Sequence, residues 1–335
     1  MLIFAIVSFI DSHMKFKRFG LILLLAMTAL NVRAATDENA WQVLQKAAVA
    51  AHALSYQGIF VCQSGQQSKP VQIRHLFNGQ FEFSRNVVLD GSPKEVLSQG
   101  ADVVIYNPKN EKIVIEKRRG QNMFPAILPT DLDSIKASYV LRMGDTERVA
   151  DRQAQILFLD GKDRLRYSYK FWVDIEYGLL LKSVIYNHQN EMIESIAFNQ
   201  LGLINNANLD WFKPKIDSKK NYVMEDEVNA VADNHVSPHW KLKELPLGYF
   251  KVDQMIRTVR GKSLPVSHLI FSDGLASISL FIEPMENGVK PRLGRAVVGN
   301  TSFHSAVVGY LQITALGEVP EAAVAQIANS VVFIK

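Results

Sequence analysis

The sequence predicts an α+β fold, rich in β-strand, with a large N-terminal unit and a smaller C-terminal one. Three observations carry that prediction. The chain is 335 residues long, which suits two domains of ordinary size. From Tyr56 to about Leu203, short apolar runs alternate with polar residues and are separated by turn-forming pairs. A polar, charge-rich stretch between Lys213 and Pro238 then interrupts the pattern before it resumes. The strand–helix–strand rhythm of a parallel sheet is missing, which argues against a dinucleotide-binding fold. With 48% hydrophobic and 21% charged residues, the composition excludes a disordered chain, a collagen-like fibre and a disulfide-stapled miniprotein.

Residues 1–34 read as an export signal. From Met14, Lys15, Lys17 and Arg18 form a basic region, Phe19 to Leu30 an apolar core, and Val32 and Ala34 the cleavage site. Translation is expected to start at Met14, which leaves residues 1–13 outside the protein. The apolar run is shorter than the ~20 residues of a bilayer span, and no cysteine follows the cleavage site to carry a lipid. Residues 1–34 hold four basic residues against Asp11 alone, so the remainder carries 33 basic and 32 acidic residues. No broad field exists to steer a polyanion, and nucleic acid is not expected as a partner.

The mature elements follow in order. Asp37 is the expected N-cap of a helix reaching Leu54, with Trp41, Leu44, Ala48, Ala51 and Leu54 on one stripe. A long antiparallel meander comes next, with Ile73, Phe81, Phe83, Val103, Ile105, Ile113 and Ile115 in its strands. Its expected turns are Asn78-Gly79, Asp90-Gly91, Asn107-Pro108, Asp160-Gly161 and Tyr177-Gly178. Tyr167, Tyr169, Phe171 and Val173 share one strand face; Arg166, Ser168, Lys170 and Trp172 share the other. The large domain is placed at residues 37–213, a solvated linker at 214–236 and the small α+β domain at 237–335. In the latter, Val266 to Phe271 and Leu275 to Ile282 form a hairpin around Ser272-Asp273-Gly274. A loop from Glu283 to Gly299, a strand from Ser305 to Ala315 and a helix starting at Pro320 complete it.

Catalytic motifs are missing. There is no Gly-x-Ser-x-Gly elbow, Walker loop, Gly-x-Gly-x-x-Gly or His-Glu-x-x-His. His235 and His239 have a metal-pair spacing, but Pro238 breaks the helix that spacing needs. Cys62 is the only cysteine, so no internal disulfide forms, and it reads as a half-buried strand residue. Lys117-Arg118-Arg119 is either an exposed strand end or a contact for an anion or acidic partner. Met123 to Pro129 is apolar and bracketed by prolines, so its side chains either plug a sheet or line a cavity mouth.

Several strings together are similar to one family. Leu54 to Val61, Leu89 to Val96, Phe124 to Pro129, Tyr167 to Asp174, Gly178 to Ser183, Phe271 to Pro284 and Gly317 to Pro320 resemble, in order, the MucB/RseB negative regulators of the envelope-stress sigma factor. The chain departs from the pattern at Cys62, where an aromatic residue is expected, and at Tyr177, where a small polar one is. The resemblance implies a periplasmic protein whose large domain is a lipoprotein-carrier-like unclosed β-barrel with a covering helix. It implies binding to the periplasmic segment of a membrane-anchored anti-sigma factor (RseA/MucA type), shielding it from proteolysis. Lipid, lipopolysaccharide or acylated-peptide signals would then weaken that grip. No enzyme activity and no cofactor are implied, and homo-oligomerisation stays open. The alternatives are a periplasmic lipid or lipoprotein carrier or chaperone, and a secreted hydrolase with dispersed carboxylates.

Two sets of candidate residues follow from this. An open curved sheet under a helix leaves a lipid-sized cavity unless side chains fill it. Trp41, Phe124, Ile127, Leu128 and Trp172 are the expected lining. Partner recognition is assigned to the hairpin residues Phe271, Ser272, Asp273, Gly274, Phe281 and Glu283, with a purely structural hairpin as the alternative.

Overall fold

An alanine-rich stripe makes the first element. Residues 38–53 form helix α1, which buries Ala40, Leu44, Ala47, Ala48 and Ala51 against the sheet below. Four of those five are alanine, so the helix lies close to the strands. The computed structural model describes residues 38–334 apart from 101, 108–111, 118–122, 206–207, 214–222, 227–239, 258–263 and 286–287. The export segment, Asp37, Asn107-Pro108 as a pair and the two histidines at 235 and 239 therefore fall wholly or partly outside the described residues. Among the described residues, no helix is long and apolar enough to cross a membrane.

The meander follows. Its strands are β1 (Tyr56–Ser64), β2 (Gln67–Phe77), β3 (Glu82–Val88), β4 (Glu95–Gln99), β5 (Asp102–Asn107) and β6 (Lys112–Lys117). Helix α2 (Asp133–Ser138) precedes β7 (Tyr139–Val149), β8 (Arg152–Gly161), β9 (Ser168–Asp174), β10 (Leu180–Tyr186) and β11 (Met192–Leu203). With β12 (Val223–Asp226) they form one sheet in the order β12-β6-β5-β4-β3-β2-β1-β11-β10-β9-β8-β7. Every pairing is antiparallel except β12 on β6. The edges β12 and β7 do not pair with each other, so the sheet is unclosed. β7 nevertheless comes near β11, four places away in the order, so the sheet curls around its core. Tyr56, Phe60, Leu141, Leu157 and Phe171 meet α1 in that core. Gly58 sits where β1 and β11 approach closely: a Cβ there would overlap the Gln200 carbonyl oxygen.

The second unit has its own core. β13 (Trp240–Leu242) pairs with β20 (Val331–Phe333). β14 (Phe250–Arg257), β15 (Val266–Ser272), β16 (Ser277–Pro284), β17 (Gly294–Val298), β18 (Thr301–Val308) and β19 (Leu311–Gly317) form an antiparallel sheet in the order β14-β15-β16-β19-β18-β17. Helix α3 (Glu321–Asn329) covers it through Val324, Ile327 and Ala328, with Pro320 at its N-cap. The expected fold class, an α+β chain with an unclosed, helix-covered sheet and a smaller second sheet, is the one observed.

Several boundaries differ from expectation. Asp160-Gly161 is not a turn: β8 continues through Gly161, which pairs with Tyr139, and the chain reverses only afterwards. The expected strand Ser305–Ala315 is a hairpin, because Gly309 takes a left-handed φ of 64° between the paired Val308 and Leu311. The expected loop Glu283–Gly299 contains β17, and the expected linker contains β12, whose backbone joins β6. Phe81 lies just ahead of β3 and is half exposed. Arg166 and Tyr167 precede β9, so the alternation starts at Ser168.

Candidate functional site

The curled sheet leaves a half-open cavity of about 620 Å³ that residues of the second unit also line. That is within the ~300–1,000 Å³ range of small-molecule sites. Its floor is aromatic. Phe124 packs its ring 5.2 Å from Phe60 and 5.1 Å from Phe198, and Phe60 and Phe124 face the cavity with Val71 and Ile127. The proline-bracketed segment thus serves both roles open to it: Leu128 plugs the core, and Phe124 and Ile127 line the cavity. The opposite wall comes from the small unit, where Ser277 and Ser279 of β16 face the cavity beside Leu316 and Glu318. Sequence reasoning placed the cavity within the large unit and missed this wall, because a half-buried Ser-x-Ser face gives no local signal.

Three polar groups set the electrostatics. Cys62 on β1 faces the cavity, and burial together with Glu194 pushes its thiol up to about 11, against the opposing effect of Lys69. A thiol so shifted stays neutral near pH 7. Burial, then the Glu318 charge, raises the Glu194 carboxyl above its ordinary value. Tyr169, also in the wall, is buried, and its phenol is held well above the usual range by that burial and by Asp273.

The other expected cavity residues lie elsewhere. Trp172 points from the outer face of β9: its indole N–H donates to Glu147 Oε2 at 2.7 Å, and Lys170 and Lys182 lie 4.5 and 4.3 Å from its ring. The lysine stems bury it on the solvent side, which alternation along β9 dictates once Tyr169 and Phe171 face inward. Trp41 packs at the edge of the core under Lys136, and Leu128 is 1% exposed within it. Lys117 ends β6, while Arg118 and Arg119 lie outside the described residues.

The hairpin residues form a clasp between the units. Asp273 is fully buried, accepts the Tyr139 hydroxyl at 2.7 Å, and pairs with Arg166 Nε at 3.3 Å. Its other oxygen accepts the backbone N–H groups of Leu275 and Ala276. Arg166 also binds Asp163 and the Leu247 carbonyl, and its guanidinium lies 4.9 Å over the Tyr249 ring. Gly274, at φ 102°, has no room for a Cβ, which would lie 2.5 Å from Ser134 Oγ. Phe271 is core, and the Ser272 hydroxyl closes the turn by accepting Gly274 N–H and donating to the Ala276 carbonyl. These four residues are thus bonded or packed within the chain. Phe281, stacked on His268 at 4.2 Å, and Glu283 lie on the half-buried face of β16.

This architecture, a helix-covered open sheet clasped to a second sheet, has matches among known proteins. Residues 39–216 match the MucB/RseB N-terminal domain and residues 234–332 the MucB/RseB C-terminal domain. The chain belongs to the MucB/RseB family. Among its relatives, the sigma factor AlgU regulatory protein MucB of Pseudomonas aeruginosa is 27% identical over 323 residues, covering 93% of this chain and 96% of that one. The sigma-E factor regulatory protein RseB of Salmonella typhimurium is 24% identical, with 94% and 97% covered. The structure of the Pseudomonas aeruginosa MucA/MucB complex superposes with a TM-score of 0.71 at 24% identity, over 89% of this chain and 99% of that one. Members of the family are thus named as sigma-factor regulators, and one has been solved with its partner MucA.

Proposed function

We propose that this chain is a periplasmic regulator that grips the periplasmic segment of a membrane-anchored anti-sigma factor. Holding that segment shields it from regulated proteolysis, and occupation of the cavity between the two units by a lipid or acylated signal loosens the hold. The observation that carries the reading is the shared cavity. Its apolar floor belongs to the large unit and its closing wall to the small one, so an occupant contacts both. The buried clasp at Asp273 supplies a defined closed arrangement for such an occupant to bias. The full-length match to regulators, one of them solved with MucA, supplies the partner class.

The energies suit the task. Each buried methylene contributes roughly 0.8 kcal/mol, so a ten-carbon chain offers about 8 kcal/mol, comparable to a micromolar protein contact. That energy shifts the partner only through differential affinity for the two arrangements. Phe124 and Ile127 are the proposed chain contacts, and Phe281 and Glu283 the proposed partner contacts. The basic run and apolar core of residues 15–30 would direct export, after which the mature chain works in solution by binding, without a catalytic step. The alternative of a carrier leaves the clasped second unit without a role. Titrating the mature chain with the periplasmic segment of its own MucA/RseA-type anti-sigma factor in a calorimeter tests the reading. Saturable heat at equimolar ratio supports it; no heat at any ratio overturns it.

A further inference from the structure

The small sheet ends on a strand that is covered by nothing among the described residues. β17 (Gly294–Val298) pairs with β18 along one edge, and its other edge is the rim of the sheet. All five of its residues are exposed, whereas β7 and β14, two other sheet rims, each hold buried residues. Val297 and Val298 are 53% and 68% exposed, and Leu293 just ahead of the strand is 69% exposed. A bare edge is a template for another strand, and proteins ordinarily blunt it with several charges, a proline or a covering element. Arg295 is the one charge within β17.

The edge is also held in place. The Gln312 side chain, itself buried, accepts the Arg292 N–H and donates to the Arg292 carbonyl, both at 2.8 Å, which fixes the backbone entering β17. Past the far end, Asn300 donates to the Ile193 carbonyl of β11 at 3.4 Å. A strand fixed at both ends has little freedom left to lose when another strand pairs with it. Its charge has one sign. Lys290, Arg292 and Arg295 are exposed, none is in an ion pair with a described residue, and no aspartate or glutamate occurs from Gly288 to Gly317. Two copies of the chain paired through this edge would set the same cations against each other, which disfavours self-pairing. We infer that β17 takes an extended, acidic segment of a partner protein as a further strand. The segment's backbone completes the free edge, and its carboxylates meet Lys290, Arg292 and Arg295. No residue of β17 lines the cavity, so this surface stands or falls independently of the signal-site reading.

The test uses the full mature chain and a fluorescent heptapeptide that alternates glutamate and valine, followed by anisotropy at low salt. Saturable binding is expected. A lysine–valine peptide of the same length should bind at least about ten-fold more weakly, because each exposed charge contact changes sign, and raised salt should narrow that gap. The Lys290→Gln, Arg292→Gln, Arg295→Gln variant should lose the preference. Its fold is retained, since the three side chains are exposed and Gln312 holds only the Arg292 backbone. Two further glutamate–valine peptides, N-methylated at every valine or at every glutamate, test the ladder. A strand presents alternate N–H groups to opposite sides, so one form should lose binding and the other keep it. Hydrogen exchange across residues 294–298 should slow when the unmethylated peptide binds. No saturable binding, equal binding of the glutamate and lysine peptides, a preference that survives the triple variant, equal behaviour of the two methylated forms, or unchanged exchange at β17 overturns the proposal.

Discussion

Replacing Asp273 with asparagine should loosen the two units while leaving each folded. The asparagine oxygen still accepts the N–H groups of Leu275 and Ala276, so the β15–β16 turn survives. What is lost lies across the interface: the charge facing Arg166 and the acceptor for the Tyr139 hydroxyl. Both side chains of the ion pair are 1% exposed, so water cannot replace the missing partner. Removing one member of a buried pair costs about 3–5 kcal/mol. The Asp163 contact to Arg166 remains, which points to the lower end, about 3 kcal/mol. Such a change shifts an open–closed equilibrium by about 100-fold and lowers the melting temperature by roughly 6 °C in a chain of this size. Scanning calorimetry should show the parent's cooperative transition broadening or splitting in the variant, and small-angle scattering a larger radius of gyration. In a double-mutant cycle with Arg166→Met, the coupling should reach about 2 kcal/mol. A variant with unchanged melting, unchanged radius and no coupling would refute the clasp.

Three further outcomes follow from other contacts. Gly58→Ala should cost about 3 kcal/mol by forcing β1 from β11, whereas Gly202→Ala, with open space at its Cβ, should stay within about 0.5 kcal/mol in urea unfolding. Glu82 binds His52 and the buried His75 at 3.0 Å each, and those bonds, overcoming a burial that alone would raise it, hold its carboxyl well below the usual range. A depressed carboxyl stabilises the fold above its unfolded value near 4.3 and loses that contribution as pH falls through the folded value. The melting deficit of Glu82→Gln should therefore be full at about pH 6 and narrow towards pH 3. Ile127→Glu places a charge on the apolar floor and should weaken alkyl-probe binding at least about ten-fold, read by fluorescence, with far-ultraviolet dichroism unchanged.

The large features were legible because they are periodic. The stripe from Leu44 to Ala51 announced α1, and alternation through Tyr169, Phe171 and Val173 gave the inward face of β9. What was missed depended on partners distant in sequence. Trp172 reads as a cavity residue until Lys170, Lys182 and Glu147 are seen to bury it on the outer face. Asp273 sits in an ordinary turn string, and its burial arises only because Tyr139 and Arg166 arrive from 134 and 107 positions away. β17 and β12 are edge strands held by backbone pairing, so their residues carry little apolar pattern. The cavity floor was legible in Phe124 and Ile127; its closing wall and its two carboxylates came from separate units and left no local signature.

The central claim is that occupancy of the shared cavity controls the partner. The most direct measurement is titration of an acylated peptide into the preformed complex with the periplasmic anti-sigma segment, following release of a fluorescently labelled segment by anisotropy. The account predicts a saturable fall in anisotropy at the concentrations that fill the cavity, and a blunted fall in Ile127→Glu. A complex that stays intact while the cavity is saturated would contradict it.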